Sequence, residues 1–184
     1  MRAPIDQLQT AKQIRHYAKH ACVYLGDEID TMPWTEGLDF WEAVQAKRAQ
    51  GSLLHRKDFS PYEFRKYLPN IFIHNVEYGP LRFKSRIMGT AFAEAVGFDM
   101  TGQYADEVEG AENVVHRAAF VVHTQQAMAI TNLSLTWSAR NYKSYSFVCI
   151  PLYDQDNNIN MLLYWAQFQM HSTQQENSRF FVMS

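Results

Sequence analysis

The chain has 184 residues, 47% of them apolar and 20% charged, which is the length and balance of one globular domain with an added extension. Seventeen Lys and Arg against nineteen Asp and Glu leave a net charge of −2, so a general nucleic-acid-binding surface is not expected. No run approaches the ~18 apolar residues of a membrane span, and Cys22 and Cys149 form neither a disulfide framework nor a CxxC metal pair.

Leu8, Ile14, Tyr17 and Ala21 fall at loose helical spacing and predict a helix near 6–23. Met32-Pro33-Trp34 breaks it. Thr35 is the expected N-cap of a second helix, with Leu38, Trp41, Val44 and Ala49 on one face and Gly51 at its end. Ser60, Pro61 and Glu63 have the pattern of a capping box and predict a short third helix that Leu68-Pro69 stops.

From Asn70 the texture changes. Ile71 to Glu77 reads as a strand, Tyr78-Gly79-Pro80 as a turn, and Leu81 to Met88 as a second strand. Its alternation puts Leu81, Phe83 and Ile87 on one face and Arg82, Lys84 and Arg86 on the other. Thr90 is the expected cap of a short helix through Val96, closed by Gly97. A longer helix spans Ala111 to Met128, with Val114, Val115, Ala118, Val121 and Val122 on its apolar side. Three strands follow near 129–138, 143–152 and 159–169, the last two joined by a turn at Asp154 to Asn158. The tail from His171 is polar apart from Phe180-Phe181-Val182. Strands grouped around a helical insert imply an α+β domain with a five-stranded antiparallel sheet, an N-terminal helical extension and a final three-strand meander.

The last strand is apolar on both phases. Ile159, Met161, Leu163 and Trp165 alternate with Leu162, Tyr164, Ala166 and Phe168. A sheet with one wet face would alternate apolar with polar, so the second face needs a cover, and Trp34, Leu38, Trp41 and Val44 are the candidates.

Two strands, a helical stretch ending in a long connecting helix, and three strands are the element order of a PAS domain. Arg56-Lys57-Asp58-Phe59-Ser60-Pro61, then Leu68-Pro69 and Ile71 to Glu77, resemble a PAS subfamily common in alphaproteobacteria, whose members are mostly small proteins without an attached output domain. Phe83-Lys84-Ser85-Arg86-Ile87-Met88-Gly89-Thr90 followed by Gly97-Phe98-Asp99-Met100-Thr101-Gly102 is similar to its most recognisable stretch. The resemblance covers roughly residues 38–168 and divides the chain into an extension over 1–35, a PAS-like domain over 36–170 and a tail over 171–184. Residues 1–35 match no pattern of that family.

The resemblance implies sensing or regulatory interaction, with the signal passed by association. The expected pocket lies between the sheet and the helices at 90–128, lined by Phe83, Ile87, Phe92, Val96, Val122 and Leu135, with Ser85 and Tyr104 as polar groups. In some PAS domains a histidine of the long helix ligates haem, which makes His116 and His123 the candidates here. The more common state of such residues is solvated or hydrogen-bonded. The Asn-Cys-Arg signature of flavin photochemistry is absent. Arg86, out of phase with the apolar residues of its strand, and Trp41 are the candidates for partner contact. His16 and His20 are spaced for a metal, but Lys12, Arg15 and Lys19 surround them and oppose a cation.

Neither GxSxG, HExxH nor a phosphate-binding glycine loop is present, so no enzyme is expected. The leading reading is a cytoplasmic PAS-like sensor of an unknown small molecule, acting with a signalling partner. The alternatives are a small enzyme on a PAS-like or cone-shaped scaffold and a ligand-free adaptor. The cofactor is unknown. The stripe Leu8, Ile14, Tyr17, Ala21 and Leu25 suggests a homodimer in which one copy of the extension pairs with another.

Overall fold

A computed structural model describes residues 14–15, 21–48, 53–134 and 142–170. Six antiparallel strands form one sheet: β1 (Cys22–Leu25), β2 (Ile71–Glu77), β3 (Arg82–Met88), β4 (Met128–Leu133), β5 (Tyr142–Tyr153) and β6 (Ile159–Met170). Their order is β1-β4-β5-β6-β2-β3. The meander of the last three strands and the flanking β2–β3 hairpin agree with the sequence reading. The sixth strand does not. Residues 22 and 23, expected to finish a helix, pair with β4 in the register Cys22↔Thr131 to Leu25↔Met128.

Among the described residues, three complete α-helices flank the sheet: α1 (Thr35–Gln45), α2 (Thr90–Val96) and α3 (Glu112–Thr124). None among the described residues is long and apolar enough to cross a membrane. The expected caps are displaced by one residue. Trp34 and Gly89 are the N-caps of α1 and α2, and Thr35 and Thr90 are first helical residues without a capping bond. Gly97 closes α2 as expected, in the left-handed region at φ 95°. Gly89 has an ordinary φ of −65°. It is required for close approach, since a Cβ there would collide with the carbonyl oxygens of Leu68 and Pro69.

The third helix is absent. Residues 61–67 form consecutive turns, with one helical bond from the Phe64 amide to the Ser60 carbonyl, and a 3-10 turn follows at Leu68–Asn70. Phe59, Phe64 and Tyr67 are all buried in the outer core, and insertion of three rings from one short segment prevails over the capping signal.

The sheet is dry on both faces. On β2, Phe72 and Val76 join the inner core beneath α2 and α3, and Ile71 and Ile73 join the outer core. The expected cover of the outer face is found: Trp41 and Val44 are buried and Trp34 and Leu38 pack against them, while Phe40, not among the candidates, is buried too, and Trp165 of β6 is sandwiched between Trp34 and Phe40, each ring 5.4 Å away. Burial of such rings contributes several kcal/mol, at roughly 25 cal/mol per Å².

Two β-bulges alter the expected phases. In β3 the ladder runs from Ile73↔Ile87 to His74↔Ser85 and leaves Arg86 unpaired. Ile87 therefore points to the outer face with Ile73, opposite Phe83 and Ser85. In β6 the ladder leaves Asn160 out between Leu152↔Met161 and Tyr153↔Ile159, which moves Ile159 into the inner core.

Ile14 is helical and buried in the inner core, with Ala21, Val23 and Leu25 packed against it. The described part of the stripe expected to pair with a second copy thus lies on the chain's own core. Leu8, Tyr17, Ala49, Leu135, His16 and His20 lie outside the described residues.

Candidate functional site

Between the inner face of the sheet and the helices is a cavity of about 40 Å³. That is room for about three water molecules. Phe72 and Phe92 form one wall, stacked at 5.0 Å, and Tyr145 and Phe147 form another, stacked at 5.9 Å. Tyr164 and Ala166 of β6 make the floor, and Met100, Ala105, Val108, Ala111 and Val114 line the helix side.

Three polar side chains also line it: His74 from β2, Ser85 from β3 and Arg117 from α3. His74 is fully buried among Phe72, Phe83 and Tyr164. Burial pushes its imidazole from 6.5 down to about 3, so it is neutral at physiological pH. Its Nδ1 stands 3.4 Å from the Tyr164 hydroxyl, a long hydrogen bond. Tyr164 sits opposite Cys149 in the ladder, and both side chains are buried. Burial raises both groups above their ordinary values, and Cys149 raises Tyr164 further. The chain His74–Tyr164–Cys149 is therefore a neutral polar line through an aromatic core.

Arg117 marks the way in. It is half-buried, as are its neighbours Val114 and Val108 on the lining. Its Nη2 donates to the Tyr145 hydroxyl at 2.9 Å, and its guanidinium lies 5.7 Å from the Phe147 ring centre. It is a cation held at the edge of an apolar space, where a ligand anion would be only partly hydrated.

Of the residues expected to line the pocket, Ser85 and Phe92 do so. Phe83, Val96 and Val122 are buried in the surrounding core without reaching the cavity. Ile87 is on the opposite face because of the Arg86 bulge, and is 40% exposed. Tyr104 is outside. It bridges to Lys84, its hydroxyl donates to Glu77 Oε2 at 2.9 Å, and Arg82 lies 3.6 Å over its ring. Arg82 and Lys84 occupy the phase opposite Phe83, and Tyr104 follows them.

The haem-ligand candidates do not line the cavity. Val114 and Arg117 are the positions α3 turns toward it, whereas His116 is half-buried elsewhere and His123 is exposed. Burial and the neighbouring Arg117 charge hold His116 below its ordinary value. A space of about 40 Å³ also has no room for a haem. Trp41 offers no surface to a partner: it is 6% exposed and its indole Nε1 donates to Asp30. Arg86 is exposed at the bulge.

Sequence reasoning passed over His74, Tyr164 and Tyr145. A signal for the first was present. A histidine amid Ile71-Phe72-Ile73 in a sheet expected to be covered on both sides has no wet face to turn to.

The PAS domain family matches residues 30–164, and the chain belongs to that family. A solved structure of an RNA-binding light-oxygen-voltage receptor is similar at 11% identity with a TM-score of 0.43, covering 66% of this chain. The similarity extends over 35% of that receptor's chain, about a third of its length. No curated protein matches the chain.

Proposed function

We propose that this PAS domain is a sensor whose inner cavity takes a small planar, mainly apolar ligand with one anionic or acceptor group. It passes its state to a partner protein and performs no catalytic step itself. The observation that carries this reading is His74. A neutral imidazole in an aromatic core, with one long hydrogen bond at 3.4 Å, is costly to bury and makes no contribution to packing that Leu or Phe would not. A ligand wedged between the Phe72–Phe92 and Tyr145–Phe147 walls meets the imidazole at its deep end and Arg117 at the entrance. Its size demands movement. The space at rest holds about three waters, so a ring enters only when Phe92 or Tyr145 swings aside. That movement is the signal, because both walls pack on Phe168 of β6.

Native mass spectrometry with an absorbance scan of freshly purified protein tests this. The expected result is a bound small molecule that Arg117→Met and His74→Leu release. Failing co-purification, a thermal-shift panel of aromatic carboxylates should raise the melting point of the wild type and not of Arg117→Met. No adduct and no stabilisation by any member of the panel would remove the sensor reading. The small resting volume favours the second reading, a ligand-free adaptor, in that event.

A further inference from the structure

We propose that the groove beside the β3 bulge is a docking site for an acidic, apolar segment of a partner protein. This deepens the partner half of the reading above. The groove and the ligand cavity lie on opposite faces of the sheet, so either can fail alone.

The groove, of about 250 Å³, is floored by Ile71, Ile73, Ile87 and Leu163 and walled by Pro61 and Phe64. It exists because of the bulge. Without the extra residue Arg86, Ile87 would face inward with Ser85 and the β2–β3 corner would be shallower. Helix α1 packs over β5 and β6 and leaves this corner to the segment before β2. The exposed large apolar side chains among the described residues are Tyr62, Leu68, Tyr78, Ile87 and Phe98, and three of these five belong to the groove or adjoin it. Leu68 and Ile87 line it, 39% and 40% exposed, and Tyr62 follows Pro61 at 79%. An apolar cluster left open on an otherwise well-covered sheet marks an interaction surface.

Charge identifies the occupant. Arg56 lines the groove and donates to the Phe59 carbonyl, and it has no ion pair among the described residues. Lys57, Arg65 and Arg86 each adjoin a groove residue in the chain or lie one residue from it, and none has an ion pair among the described residues. The acids nearby are already engaged: Glu63 with Lys47, Asp39 with Lys66, Asp58 on the His55 amide, and Asp154, which shares a surface hollow with Arg56 and Lys57, on the amides of Asp156 and Asn158. An apolar floor with a cationic rim is complementary to two or three large apolar side chains flanked by Asp and Glu. The chain's own tail does not fit that description, since Phe180-Phe181-Val182 follows Arg179 and only Glu176 is acidic. Strand addition is not the mode. The β3 edge at Ser85 is already bonded to Gly102 and Gln103, so docking is through side chains.

A displayed library of random 12-residue peptides, selected on the full chain, tests the proposal. Enrichment of peptides combining two or three large apolar residues with Asp and Glu is expected. A fluorescein-labelled selected peptide should bind about tenfold more weakly to Ile87→Asp and to Arg86→Glu, weaken with added salt, and bind Tyr78→Asp as it binds the wild type. Arg86→Glu changes an exposed residue, which keeps the test independent of any folding defect in Ile87→Asp. Four results would overturn the proposal: no enrichment, enrichment of basic or uncharged peptides, equal binding to Arg86→Glu, or much tighter binding to a chain ended at Met170. The last would assign the groove to the chain's own tail.

Discussion

Acidification from pH 7 to about 4.5 offers His74 a proton that it accepts only by unfolding. Its ordinary value is 6.5 and burial lowers it to about 3 in the folded chain. Between those values the unfolded state binds the proton and the native state does not, so stability falls as the pH falls through 6.5 and the loss is complete near 3. The slope in that window is ~1.4 kcal/mol per pH unit, which makes the loss at pH 4.5 ~2.5 kcal/mol. Urea denaturation of the wild type and of His74→Leu at both pH values isolates it. Hydrogen bonds lower Glu28, Asp39 and Asp99, but these carboxylates are present in both chains and cancel in the comparison. The wild type should lose ~2.5 kcal/mol more than His74→Leu on acidification. Parallel losses, within about 0.5 kcal/mol, would refute the argument that a dry histidine governs the acid response.

Gly89→Ala should destabilise by about 2 kcal/mol in urea, because its methyl meets the backbone carbonyls of Leu68 and Pro69; a change below about 0.5 kcal/mol would show that the α2 junction yields. Trp41→Ala should lose about 4 kcal/mol and Trp41→Phe distinctly less, since Phe keeps most of the outer-core volume and forfeits only the bond to Asp30. Titration with a thiol reagent should find Cys22 in the native protein and Cys149 only after denaturation, because Cys149 is buried and burial pushes its thiol up. Rapid modification of Cys149 in the native state would mean that the inner core opens far more readily than its packing implies.

Local signals in this chain determined the elements that depend on near neighbours. The β2 and β3 strands as elements, the Gly97 stop after Val96, and the turn at Asp154 to Asn158 follow from side-chain period and turn chemistry, and the fold keeps them, although the alternation of β3 holds only as far as Ser85. The two apolar phases of β6 also declared that both sheet faces would be covered, and Trp34, Phe40 and Trp41 cover the outer one. The bulges at Arg86 and Asn160 were not legible, because an extra residue in a ladder appears only when the partner strand is in place. One unpaired residue then turned Ile87 from the expected pocket to the opposite face and made the groove. The same holds for the cavity. Ser85 and Phe92 were readable from the strand phase and the short helix, but His74, Tyr164, Tyr145 and Arg117 come from four separate elements. No spacing along the chain relates them. Their meeting is set by the order β5-β6-β2 and by the turn of α3 that presents Arg117 and not His116, a choice that packing makes and composition does not.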